Sequence, residues 1–273
     1  MTKGPLRGTF VSMHRTFIAV LLGSQVLGVS AAPLLEPSYR FTSETFAPVI
    51  AALPEPLRAA VEADPQGFLK DYKPLLTHSA DLLVLVDKKN ELPSDYEPDD
   101  LTTLGPPSFA VNKRGMKFRK AYLPALVALI KAAKKEGLTL EVSSAYRSWA
   151  YQKATFEQYA KKDGLATAER YSARPGRSQH QLGTVIDFGS VTPEFADTPE
   201  GQWLAAHAGT FGFSLSYPDG KEDQTGYVYE PWHFRYIGIQ ACAVQKKWFG
   251  DFQQWLTEFH SSQGPVLKAA LRK

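Results

Sequence analysis

Residues 225–238 read TGYVYEPWHFRYIG, seven ring-bearing side chains around one glutamate and one arginine, closed at both ends by glycine. Aromatic residues crowded between glycines predict a β-strand. Glu230 and His233 do not fit a plain strand, because residues three apart on a regular strand face opposite sides. Pro231 stands between them, cannot donate to a ladder and favours a bulge or an edge. Such an irregularity can turn Glu230 and His233 toward one cleft. Two answers compete: an apolar strand that tolerates two polar residues, or half of a metal site with its general base.

Outward from this stretch the fold takes shape. FSLSYPDG (213–220) is a partner strand, and the two pair as a hairpin across a loop. GTVIDFG (183–189) is a short strand, and LTLEVSS alternates Leu138, Leu140 and Val142 as another. AYLPALVALIKAAKKEG (121–137) predicts a helix stopped by Gly137, and Ser148 is an N-cap for a second helix ending before Gly164. Thr198 caps a third with Pro199 at its first position, and residues 240–260 supply one or two closing helices. Leu82–Val86 reads as a buried strand, a helix opens near Pro54 or Pro56, and the tail KAALRK is expected to fray. The sum is an α+β fold with a small, mainly antiparallel sheet flanked by helices.

The N-terminal stretch has basic residues up to Arg15, then the apolar run TFIAVLLGSQVLGVSAA (16–32) ending in small residues. This is the pattern of a secretory signal peptide, and Gln25 makes the run a poor membrane span. The expected organisation is a signal peptide over 1–32, a helical extension over 33–80, a catalytic domain over 81–240, and C-terminal helices with a basic tail over 241–273. The extension either packs on the main domain or serves as a spacer. Export to the periplasm or cell envelope follows, with membrane contact only through an uncleaved leader. A formal net charge of +3 is too small to imply nucleic acid as a partner and is compatible with an anionic wall polymer. The single cysteine, Cys242, allows no internal disulfide and is read as a small buried apolar residue.

Chemistry concentrates in two blocks. Asp187 lies between Ile186 and Phe188 in an apolar strand, where an unpaired carboxylate is costly and calls for a cation or a set of donors. His180 stands seven residues earlier, and Gly183 lets the chain turn between them. Alone, that pair carries little weight. With His233 it makes two imidazoles and a carboxylate with a fourth position open, the donor set of catalytic zinc, and Glu230 beside it would take a proton from water. His207, on a helix face with Trp203, Leu204 and Phe211, reads as a core or rim histidine.

YRSWAYQ (146–152), SQHQLGTVIDF (178–188), GFSLSYP (212–218) and YEPWHFRYIG (229–238) resemble, in order and spacing, the VanY-like zinc D-alanyl-D-alanine carboxypeptidases, whose fold is similar to the hedgehog N-terminal domain. The matching blocks run from about Leu82 to Ile239. The resemblance implies one zinc ion per chain held by His180, Asp187 and His233, with Glu230 as catalytic base. It implies that Arg147 binds the substrate's terminal carboxylate or the developing oxyanion, and that Gln152, Ser178 and Trp232 line the substrate cleft. Ser216 departs from the pattern, standing where many relatives carry arginine. The activity implied is removal of the terminal D-alanine from peptidoglycan stem peptides by a monomer. L,D-carboxypeptidase or endopeptidase action on the same peptides is the alternative, and a non-enzymatic zinc-containing binding module is the reading from a different class.

Overall fold

The structure is a computed structural model that describes Met1, residues 32–77 and residues 82–272. The expected leader therefore lies, apart from Met1 and Ala32, outside the described residues. Among the described residues no helix is long and apolar enough to cross a membrane.

Three short helices open the described chain: α1 (Ser43–Ile50), α2 (Leu57–Ala63) and α3 (Pro65–Tyr72). Strands β1 (Leu101–Thr103) and β2 (Lys117–Arg119) form a small antiparallel ribbon. Helix α4 (Leu123–Lys135), strand β3 (Val142–Ser144) and helices α5 (Trp149–Asp163) and α6 (Leu165–Tyr171) follow. Then come β4 (Val185–Phe188), α7 (Pro199–His207), β5 (Phe213–Leu215), the one-turn α8 (Glu222–Thr225) and β6 (His233–Tyr236). Helices α9 (Ile239–Trp248) and α10 (Gln253–Ala269) close the chain. The predicted caps are in place: Ser148 Oγ accepts from the Tyr151 amide and Thr198 Oγ1 from the Gly201 amide.

Strands β3, β4, β6 and β5 form one sheet in that order, every pair antiparallel. The pleat sorts its side chains. Ile186, Phe188 and Phe234 face one way and pack with Leu126, Leu129 and Ala133 of α4 and Trp203 and Leu204 of α7. Val185, Asp187, His233 and Arg235 alternate with them, and Val185 pairs with Arg235 and Asp187 with His233 across the ladder. Polar groups thus collect on the sheet face opposite the α4–α7 core. All four residues of β4 are buried, so this face is also covered.

A second core lies elsewhere. Phe46, Val61, Phe68 and Tyr72 from α1–α3 share one apolar cluster with Cys242, Trp248, Leu256 and Phe259 from α9 and α10. Phe68 sits at its middle, 5.4–5.7 Å from the rings of Tyr72, Trp248 and Phe259. Burying one such ring stabilises by about 1.5–3 kcal/mol. The helical extension is therefore packed against the C-terminal helices rather than strung out as a spacer, and Cys242 is buried as expected.

Three expectations are corrected. Residues 82–86 do not form a strand. The carbonyls of Leu82 and Val84 instead accept from the Arg235 guanidinium, both at 2.9 Å, which takes up acceptors a ladder would have used. The tail is pinned rather than frayed: Leu271 bridges to Tyr39, and the Arg272 amide donates to the Ser38 carbonyl at 2.8 Å. The strand expected over Leu138–Val142 begins only at Val142.

Gly183 closes the turn before β4 at φ +70°, where a Cβ would meet Arg119 and Leu101 carbons at 3.0 Å. Gly183→Ala is expected to lower stability by ~1–3 kcal/mol in chemical denaturation. A change below a few tenths of a kcal/mol would show that the turn relaxes freely.

Candidate metal centre

The site is built on the β4–β6 ladder. Antiparallel register places Asp187 directly opposite His233, and the two side chains share a face, so Asp187 Oδ1 lies 3.2 Å from His233 Nδ1. His180 comes from the 3₁₀ turn Gln179–Leu182 that leads into β4. Ser178 Oγ accepts from the His180 amide, and Gly183 ends the turn. This brings His180 Nε2 to 3.2 Å from Asp187 Oδ2. The two imidazoles meet nearly edge-on, with centroids 4.9 Å apart and planes at 88°.

Each ring is oriented by its other nitrogen. His180 Nδ1 donates to the Ala145 carbonyl at 2.6 Å, which leaves Nε2 as the inward lone pair. His233 Nε2 faces Gln179 Oε1 at 3.4 Å, which leaves Nδ1 inward. A metal-binding histidine is held in this way, its outer N–H given to an acceptor. His180, Asp187 and His233 offer one ligand atom each within 4.8 Å of one another, all buried. His180 Nε2 and Asp187 Oδ1 are also buried without a hydrogen bond. Leaving such atoms unmatched is costly. A cation among two imidazoles and a carboxylate would satisfy them, and that donor set suits zinc.

Glu230 joins by a route the sequence pattern did not specify. It lies outside β6, and the His233 amide donates to the Glu230 carbonyl at 3.0 Å. Residues 230–233 are thus a tight turn with Pro231 at its second position, where a fixed φ suits it, and not a bulged strand. The turn carries Glu230 Oε2 to 3.3 Å from His233 Nδ1.

Electrostatics separate the groups. Burial, only partly offset by His233, raises the Glu230 carboxyl above the usual glutamate value. Burial lowers His180 to about 4, and the Arg147 charge adds to it. Burial opposes charge on His233 as well, but Asp187 and Glu230 outweigh it and push it up to about 9. Burial opposes ionisation of Asp187 too, yet the two imidazoles hold its carboxyl well below the ordinary range.

Arg147 is half-buried, its amide donates to the His180 carbonyl, and its Nε has no hydrogen-bond partner among the described residues. Its charge is felt at His180 and Glu230, so an uncommitted guanidinium sits beside the cluster. Gln152 is buried, with Nε2 donated to the Ala173 carbonyl and Oε1 unmatched. Ser178 caps the turn that carries His180. Trp232 packs against the α4–α7 core, and the ring lying on His233 is Tyr217, 4.8 Å away. The sequence reading missed Tyr217, Gln179 and the Ala145 carbonyl. The blocks GFSLSYP and SQHQLG contain the first two, but no spacing rule marks them as supports.

Residues 115–239 match the family model described as VanY, D-alanyl-D-alanine carboxypeptidase. VanXYC of Enterococcus gallinarum, a bifunctional D-Ala-D-Ala dipeptidase and carboxypeptidase, is 31% identical over 192 residues, covering 64% of this chain and 95% of VanXYC. The chain belongs to the VanY family. YodJ of Bacillus subtilis is 39% identical over 171 residues, 60% of this chain and 62% of YodJ. A D-alanyl-D-alanine carboxypeptidase of Enterococcus faecium is covered over 54% of its length. The chain thus spans less than two thirds of these last two relatives. Among solved structures, the LD-carboxypeptidase LdcB superposes with a TM-score of 0.58 at 35% identity, covering 66% of this chain and 86% of LdcB. A vancomycin-resistance D,D-pentapeptidase VanY variant in complex with Zn(II) gives 0.54 at 29%, covering 66% and 98%. The α+β fold is that of the VanY peptidases. The VanY match ends at Ile239, the first residue of α9, so the rest of α9 and all of α10 lie beyond it.

Proposed function

We propose that this VanY-family chain is an exported, monomeric zinc D-alanyl-D-alanine carboxypeptidase that removes the terminal D-alanine from peptidoglycan stem peptides in the periplasm or cell envelope. The observation that carries this reading is the buried His180–Asp187–His233 group, in which His180 Nε2 and Asp187 Oδ1 have no hydrogen bond, with Glu230 against it. The three side chains would hold one zinc ion. When bound, zinc supplies Lewis-acid chemistry, acidifying water and polarising a carbonyl.

Glu230 is the base. Its carboxyl is raised by burial, which makes it a better proton acceptor than an ordinary glutamate. It takes a proton from the attacking water as the new C–O bond forms, and returns it to the nitrogen of D-alanine as the C–N bond breaks. The products are a stem peptide shortened by one residue and free D-alanine. Arg147 binds the substrate's terminal carboxylate or the developing oxyanion, where a guanidinium fork matches paired oxygens. Gln152, whose buried Oε1 is unmatched, would line the cleft, Ser178 holds the His180 turn, and Tyr217 rather than Trp232 forms the wall at His233.

A second reading, L,D-carboxypeptidase action on tetrapeptide stems, is favoured by the similarity to LdcB. A non-enzymatic binding module would have no use for Glu230 beside an uncommitted Arg147. Zinc-quantified protein incubated with defined tripeptide, tetrapeptide and pentapeptide stems, products read by mass, tests the assignment. Loss of one D-alanine from the pentapeptide alone is the expected result. Cleavage of the tetrapeptide alone would move the assignment to L,D chemistry, and no cleavage of any stem would sink the enzymatic reading.

A further inference from the structure

His233 is oriented through a chain of amides that starts outside the VanY-matched residues. Gln253 is the first residue of α10 and is buried, as are Gln179 and Ser216. Gln253 Nε2 donates to the Ser214 carbonyl at 3.3 Å, and its Oε1 accepts from Gln179 Nε2 at 3.3 Å. Gln179 Oε1 in turn faces His233 Nε2 at 3.4 Å. The Ser216 hydroxyl sits between both amide oxygens, 2.8 Å from that of Gln179 and 3.3 Å from that of Gln253. A serine is short enough for both amides to reach it.

The polarity of this chain is set at one end. A backbone carbonyl only accepts, so Gln253 must turn its NH₂ to Ser214 and its oxygen to Gln179. Gln179 must then offer NH₂ to Gln253 and its oxygen to His233. That oxygen requires a proton on His233 Nε2, which makes Nδ1, beside Asp187 and Glu230, the nitrogen available to a metal. We infer that Gln253 is a positioning residue for the metal site, fixing the tautomer and tilt of His233 through Gln179, so that helix α10 is a working part of the catalytic unit. The inference rests on the reading of His233 as a ligand.

The test is the zinc dissociation constant, measured on the full chain by competition with a chromophoric chelator, for the parent, Gln253→Leu, Gln179→Ala and the double variant. Gln253→Leu is expected to weaken zinc by about tenfold, the lower end of what loss of an outer partner costs, with the metal-free melting temperature little changed. The double variant is expected to bind no more weakly than Gln179→Ala alone, because both act through one contact. In the zinc-loaded parent, ¹⁵N-histidine NMR should place the proton on His233 Nε2, with faster exchange in Gln253→Leu. A folded Gln253→Leu protein with parental zinc affinity, or two effects that multiply, overturns the inference. If Gln253→Leu does not fold, Ser216→Ala must weaken zinc in the same direction, and parental affinity there is equally contradictory. His233→Ala separates the two levels. A parent that binds no more zinc than His233→Ala sinks the metal-site reading and the inference with it. A parent that does, with Gln253→Leu unchanged, sinks the inference alone.

Discussion

Glu230→Gln is expected to lower kcat/KM on the pentapeptide stem by ~10²–10⁴-fold, the range that a positioned acid–base group supplies, while zinc content and fold persist. The amide keeps the size of the side chain and its place in the tight turn, but it cannot take a proton from water or return one to the leaving amine. Glu230 Oε2 approaches His233 Nδ1 at 3.3 Å while both Asp187 oxygens lie at 3.2 Å from an imidazole nitrogen. Asp187 is thus shared by the two histidines, and Glu230 touches only one. That asymmetry agrees with the roles the family resemblance implies, Asp187 toward the metal and Glu230 toward the proton. Glu230→Ala should behave the same way. A variant that trims stems at the parental rate removes the base assignment, and one that also loses zinc makes Glu230 a ligand.

Asp187→Asn is expected to do the opposite, losing zinc first and activity as a consequence. Asp187 is the only carboxylate of the three-residue cluster and stands in a strand with every residue buried. Its charge is held against burial by two imidazoles. The asparagine amide keeps the shape but removes the charge, so the loss of zinc affinity should exceed the ~10–100-fold typical of an outer partner. A thermodynamic readout avoids dependence on substrate. Free zinc at a hundred times the parental dissociation constant should stabilise the parent by about 2.7 kcal/mol and leave Asp187→Asn almost unmoved. Equal stabilisation of both proteins would remove Asp187 from the ligand set.

The candidate site was legible where chemistry depends on residue type and spacing. A carboxylate in an apolar strand, an imidazole across a glycine turn and Glu-Pro-Trp-His are each unusual enough to stand out. The sheet was legible too, because β4, β5 and β6 are short runs with apolar residues at alternate positions, bounded by turn residues. What stayed hidden depends on long-range packing. Residues 82–86 have a strand's composition, but Arg235 claims their carbonyls from about 150 residues away. Pro231 stands in a tight turn rather than in the bulge its presence suggested, because turn and bulge use the same residue and differ only in which amide bonds to which carbonyl. Tyr217, rather than the more conspicuous Trp232, covers His233. The joint core of α1–α3 with α9–α10, and the amide chain from Gln253, follow no periodicity, because each is a contact between segments far apart in sequence.

The most direct measurement is a zinc-edge anomalous difference map of crystals grown with zinc. One strong peak per chain is expected, bounded by His180 Nε2, His233 Nδ1 and the Asp187 carboxylate, with Glu230 beside it and outside bonding distance. A peak elsewhere, or none at this cluster in protein that cleaves stem peptides, would contradict it.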